Sequence, residues 1–176
     1  MKKIALIVTA CAVLTAAAAF AGDHPAKSEH PMKTESGWFD MQNCAFCKNL
    51  IADPELLPHM TWENHNIAVG MIQVATVDPA YAASYEKCSQ AMEKLGADMH
   101  SGKVDPTKTK MCGSCAAFGQ LMMAGVKMEH VDGEAADVTV ITSADPALVT
   151  RIHDYCDRNN KEMALLMGGD HAGHGH

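Results

Sequence analysis

Basic residues are in the minority in this chain: 14 Lys and Arg stand against 21 Asp and Glu, for a formal charge of −7. That balance disfavours nucleic acid as a partner and is compatible with attracting cations. After the N-terminal segment no apolar run is long enough to span a bilayer. The sequence also lacks HExxH, a Ser–His–Asp ordering and a phosphate-binding glycine loop, so hydrolytic chemistry has no support. Covalent haem needs CxxCH, and Lys48 and Ala116 occupy the histidine's place here. The leader has no twin arginine, which implies export in an unfolded state and disfavours a preassembled iron–sulfur cluster.

What is present begins with that leader. Met1-Lys2-Lys3 is a positive n-region, Ile4 to Phe20 is uncharged and Ala-rich, and Ala19-Phe20-Ala21 is a small-x-small cleavage site. The segment 1–21 is therefore expected to be a signal peptide cleaved after Ala21, with the protein periplasmic or otherwise exported. Val8-Thr9-Ala10-Cys11 offers a lipoprotein alternative at Cys11, against which the apolar run continues well past that cysteine. Loss of Lys2 and Lys3 takes the formal charge from −7 to −9. Six cysteines then remain, and in an oxidising compartment an even count makes disulfides the default.

Those six cysteines fall into a repeat. Cys44 and Cys47 are followed by Cys88, and Cys112 and Cys115 by Cys156, at matched distances and with an offset of 68 residues. Other features keep step: HMTWENH lies opposite KMEHVDG, and IQVATVDPA opposite TVITSADPA with a one-residue slip. This predicts an α+β fold from a duplicated α-β-β-α unit with pseudo-twofold symmetry. The economical burial is one four-stranded antiparallel sheet with helices on one face.

Helices are expected over residues 42–52 and 112–124, with Gly125 as a C-terminal cap. Strands are expected over 59–64, 67–77, 126–131 and 137–142, the last two joined by a turn containing Asp132-Gly133. Asp78-Pro79 and Asp145-Pro146 supply an N-cap and a first-turn proline for helices running to about Met99 and Met167. The resulting division is a segment without fixed structure over 22–36 and a first repeat over 37–100. A linker over 101–110, a second repeat over 111–167 and a His/Gly-rich tail over 168–176 follow.

The chemistry sits in the sulfurs and the chain ends. A CxxC at a helix N-terminus feels the positive end of the dipole, which favours thiolate. The predicted arrangement is two three-thiolate sites, Cys44/Cys47/Cys88 and Cys112/Cys115/Cys156, with Met92, Met122 and Met163 assisting. A methionine stripe at helical spacing is more usually core filler. A Cys₄ zinc site joining the two CxxC pairs is also geometrically possible. Zinc-ribbon spacing, with pairs about 15–20 residues apart, is not met. Cleavage after Ala21 would leave Gly22-Asp23-His24, an amine-and-imidazole set with His24 third that suits Cu(II) or Ni(II). His171, His174 and His176 form a second loose set.

These residue types point to an exported soft-metal-binding protein, copper first and zinc second, that buffers or transfers its ion through thiolates. A periplasmic metal-handling or redox protein is the implied partner, and no membrane span is expected once the leader is removed. Two alternatives stay open. One is a thiol–disulfide oxidoreductase or redox sensor using Cys112 and Cys115, or Cys44 and Cys47. The other is a structural or interaction module stapled by Cys47–Cys88, Cys115–Cys156 and Cys44–Cys112 disulfides.

Overall fold

The structure, a computed structural model, describes residues 33–133 and 136–166. The signal segment, Cys11, His24, Met167 and the tail histidines His171, His174 and His176 lie outside the described residues. Four strands form one antiparallel sheet: β1 (Met60–Ile67), β2 (Gly70–Val77), β3 (Lys127–Asp132) and β4 (Asp137–Thr142), in the order β1-β2-β4-β3. Two hairpins therefore meet along their second strands, with Met71 opposite Ile141 and Val74 opposite Val138. Three α-helices complete the described residues: α1 (Ala82–His100), α2 (Gly113–Met123) and α3 (Pro146–Leu166). The α+β class and the single antiparallel sheet are as expected. No helix among the described residues is long and apolar enough to cross a membrane.

Gly70 makes the central β2–β4 pairing possible. A Cβ there would lie 1.8 Å from the Ile141 carbonyl oxygen, so any side chain would prise the two hairpins apart. The strand alternation sends Met60, Asn64, Met71, Ala75 and Ile141 to one buried face. Helix α3 packs across β1, β2 and β4. A line of polar contacts sets its position: Asn64 donates to Asn160 Oδ1 at 3.0 Å, Asn66 to Asp157 at 2.9 Å, and His153 Nε2 meets the Ile67 carbonyl at 2.9 Å.

The helix ends follow the sequence with one exception. Asp145 Oδ1 accepts the Ala147 N–H at 2.9 Å, and α3 starts at Pro146 as its Asp-Pro pair predicts. Asp78 instead gives its carboxylate to His59 Nδ1 at 2.8 Å and caps nothing, so Pro79–Tyr81 forms a 3₁₀ turn before α1 begins at Ala82. Gly125, at φ +90°, ends α2 with its N–H on the Met122 carbonyl.

The expected helix over 42–52 is not formed. That stretch consists of turns and a 3₁₀ segment, Cys47–Asn49. The Ala45 N–H bonds across to the Lys110 carbonyl at 2.9 Å, and the later amides close i→i−3 turns, Asn49 to Phe46 and Leu50 to Cys47, in place of an i→i−4 ladder. Thr34 and Ser36, within the segment expected to lack structure, are held as well. Thr34 pairs with Phe39, and the Ser36 hydroxyl donates to buried Glu162 at 2.6 Å.

Candidate metal centre

The two CxxC segments are built alike around sulfur, although only one opens a helix. In the first, Asp40 shapes the approach: its carbonyl accepts the Cys44 N–H, and its Oδ1 accepts the Asn43 backbone and side-chain N–H groups. The Asn43 side chain holds the Asp40 carboxyl below its ordinary range. The Cys47 N–H then points at the Cys44 sulfur. In the second segment Cys112 is the N-cap of α2, in extended conformation, and the Cys115 N–H points at the Cys112 sulfur. Each motif thus folds so that its second cysteine's backbone stabilises negative charge on the first.

The amides of Gly113 and Ser114 at the start of α2 donate to the Gly37 and Trp38 carbonyls at 3.1 and 2.9 Å. This backbone approach explains the glycine in Cys112-Gly-Ser-Cys115. A Cβ at Gly113 would sit 2.9 Å from Trp38 Cε3 and 3.1 Å from its Cα. Behind it lies a buried polar knot in which Asn159 Oδ1 accepts from Trp38 Nε1 at 2.8 Å and from Ser114 Oγ at 2.9 Å. Tyr155 reaches Ser114 at 3.3 Å, and burial pushes its hydroxyl pKa up. The Arg158 guanidinium lies 3.9 Å from the centre of the Trp38 ring. One knot therefore joins residues 36–38, α2 and α3 behind the cysteines.

The four CxxC sulfurs converge. Cys47 Sγ is 3.6 Å from Cys112 Sγ and 3.5 Å from Cys115 Sγ, and all four Sγ atoms lie within 4.8 Å of one another. Cys44, Cys47 and Cys112 are buried, and Cys115 is half-buried. These separations far exceed the roughly 2.05 Å of a disulfide. They approach the ~3.8 Å edge of a tetrahedron with metal–sulfur bonds of about 2.3 Å. Electrostatically the cluster splits. Hydrogen bonds from Cys112, Cys115 and Cys47 drive the Cys44 thiol down, and Cys115 chiefly brings Cys112 down to about 7. Sulfur neighbours, Cys112 first in both cases, and burial drive Cys47 and Cys115 up. The four thiols therefore titrate as one coupled set that keeps part of its protons. A cation at the centre would displace those protons and let all four ionise. The donor set and spacing fit a single soft ion held by Cys44, Cys47, Cys112 and Cys115.

This grouping corrects the expected three-and-three division. Cys88 and Cys156 are buried thiols outside the cluster. Cys88, on α1, borders Asn49, Asp53 and Ser84, and desolvation pushes it up to about 11. Cys156 packs with Met71, Ile141 and Ile152 against the sheet and is likewise pushed up to about 11 by desolvation. Its neighbour Tyr155, about 100° further round α3, faces α2 instead. The six cysteines among the described residues are free, so none of the three expected disulfides is formed. Met92 and Met163 pack against the core that contains the cysteine cluster, whereas Met122 is 38% exposed.

The sequence reading missed Trp38, Ser114 and Asn159. The serine and glycine inside the second CxxC were available as a signal, but no feature near Asn159 marks it. A second group, His130, Asp132 and Asp137, lies at the outer sheet edge, where His130 is already bonded to Asp132 and Thr139. Compared with models of known families, with curated proteins and with solved structures, the chain matches none.

Proposed function

We propose that the protein is an exported soft-metal-binding protein whose resident ion is held by Cys44, Cys47, Cys112 and Cys115. The observation that carries this reading is the convergence of four thiols from two chain segments within 4.8 Å. Zn(II) fits best: a closed, four-sulfur, mostly buried set with near-tetrahedral spacing suits an ion that is retained and that joins the two motifs. The clasp it forms would fasten residues 37–56, which have little regular structure of their own, to the N-terminus of α2.

Cu(I), with buffering or transfer as the role, is the second reading. A sulfur-only donor set favours it, and half-buried Cys115 gives an incoming ion or a metal-handling partner protein access to one ligand. Export rests on the leader over residues 1–21, with His24 and the tail histidines as capture arms. The duplication reading draws support from the two hairpins meeting at β2–β4 and from the contact between Cys47 and Cys115, 68 residues apart.

The test is Co(II) and Zn(II) titration of reduced, anaerobically purified protein. One Co(II) per chain, with the intense visible bands of a tetrahedral thiolate site and displacement by Zn(II), is expected. Tighter binding of Cu(I) than Zn(II) in direct competition, with transfer to a thiol acceptor, would move the assignment to copper. Binding of neither ion would refute both.

A further inference from the structure

The four clustered sulfurs differ in how far solvent reaches them. Cys44, Cys112 and Cys47 are 1%, 4% and 6% exposed, whereas Cys115 is half-buried. The Cys47 sulfur lies across the motifs, 3.5 Å from Cys115 Sγ and 3.6 Å from Cys112 Sγ. The most accessible sulfur of the set therefore touches the next most accessible, which comes from the other chain segment. A bond between these two would join the same segments that a shared ion joins, 68 residues apart in sequence. A bond inside either CxxC would leave the segments separate.

We infer that the centre is a metal clasp released by oxidation: peroxide converts it to a Cys47–Cys115 disulfide that frees the ion and keeps the two segments fastened. The inference rests on the zinc reading above, in which all four sulfurs are thiolates. Hydrogen peroxide is small and uncharged, and among the four sulfurs Cys115 is the one open to it. The Cys115 thiolate attacks one peroxide oxygen, the O–O bond breaks, hydroxide leaves and Cys115 becomes a sulfenic acid. The Cys47 thiolate then attacks the Cys115 sulfur, forming the S–S bond as the S–O bond breaks and a second hydroxide leaves. Two thiolates lose two electrons in total, and one peroxide is reduced to two hydroxides. Cys44 and Cys112 remain as two thiolates, half of the closed set that retains zinc. The new bond closes a long loop, so it restricts the unfolded chain more than a bond within one CxxC.

The sequence provides a direct readout. Cleavage after Lys33, Lys48, Lys110 and Lys127 puts both cysteines of the first motif on one tryptic peptide, 34–48, and both of the second on another, 111–127. A bond across the motifs links the two peptides. A bond within a motif leaves them apart, each lighter by two hydrogens.

The test treats the zinc-loaded full chain with hydrogen peroxide, alkylates the remaining thiols, and digests it with trypsin without reductant. Zinc release with the loss of two thiols is expected, together with linked peptides whose fragmentation places the bond at Cys47 and Cys115. Dimedone added with the peroxide should label Cys115 first. The oxidised, zinc-free chain should keep its far-ultraviolet circular dichroism and unfold at higher denaturant than the reduced, zinc-free chain. Cys88→Ala and Cys156→Ala should give the same linked peptides. A chain that takes up no zinc at the loading step would refute the zinc reading and the inference with it. After successful loading, zinc retained in excess peroxide would overturn the inference alone. So would a bond within a motif, a bond to Cys44 or Cys112, or zinc loss without linked peptides.

Discussion

Replacing Asn159 by Ala probes how the metal centre is held from behind. The Asn159 carbonyl accepts two buried hydrogen bonds, from Trp38 Nε1 and Ser114 Oγ, and the residue is 4% exposed. Its removal leaves two donors without that acceptor, each costing about 1–3 kcal/mol where water cannot reach it. Ser114 keeps Tyr155 as a partner at 3.3 Å, so the serine's share falls at the low end. A loss of about 2–4 kcal/mol in unfolding free energy follows. The knot also fixes residues 37–38 against the amides that begin α2, and supporting residues of this kind typically contribute 10–100-fold in metal affinity. Zinc affinity measured by chelator competition should fall by that order, and Trp38 fluorescence reports the local loosening. Denaturant unfolding of zinc-loaded and stripped protein separates the two effects. Asn159→Asp, which keeps an acceptor, should bring back part of the loss. Unchanged zinc affinity and a stability loss below about 0.5 kcal/mol in Asn159→Ala would refute the coupling.

Four further outcomes follow. Cys88→Ala and Cys156→Ala should each leave metal stoichiometry at one, while costing about 1–2 kcal/mol in stability from the small cavities they open. Cys47→Ala should abolish tight binding. Both Cys88 and Cys156 have folded pKa values raised to about 11 from an ordinary 9.0. Their contribution to stability is therefore full below pH 9 and is lost as pH rises through 11, since the unfolded thiols ionise first. Alkaline unfolding curves should flatten in the double Ala variant. Gly113→Ala forces a Cβ to within 2.9 Å of the Trp38 ring and should cost about 1–3 kcal/mol, with weakened zinc binding, measured by denaturant unfolding and competition.

Much of the fold was legible because its signals are local. The two hairpins, the Gly125 cap and the start of α3 at Pro146 each depend on a few adjacent residues. The helix over 42–52 misled for the opposite reason. The stretch instead lies against a segment 65 residues away, Ala45 bonding to Lys110, and closes i→i−3 turns of its own. The grouping of the cysteines depends on the same kind of distant contact. Matched spacings within each half suggested that each CxxC would find its own third cysteine, yet spacing says nothing about which side of a helix meets which neighbour. On α3 the turn from Tyr155 to Cys156 is enough to send one side chain toward the CxxC helix and the other into the sheet. The two CxxC pairs meet because residues 37–45 lie along the approach to α2 and its first turn, a packing event with no local code.

X-ray absorption at the zinc edge of the reduced, zinc-loaded chain tests the central claim most directly. Four sulfur scatterers at about 2.3 Å, with no nitrogen or oxygen ligand, are predicted. The signal should persist in Cys88→Ala and Cys156→Ala and be lost in Cys47→Ala. Fewer than four sulfurs, or a four-sulfur shell that depends on Cys88 or Cys156, would contradict the account.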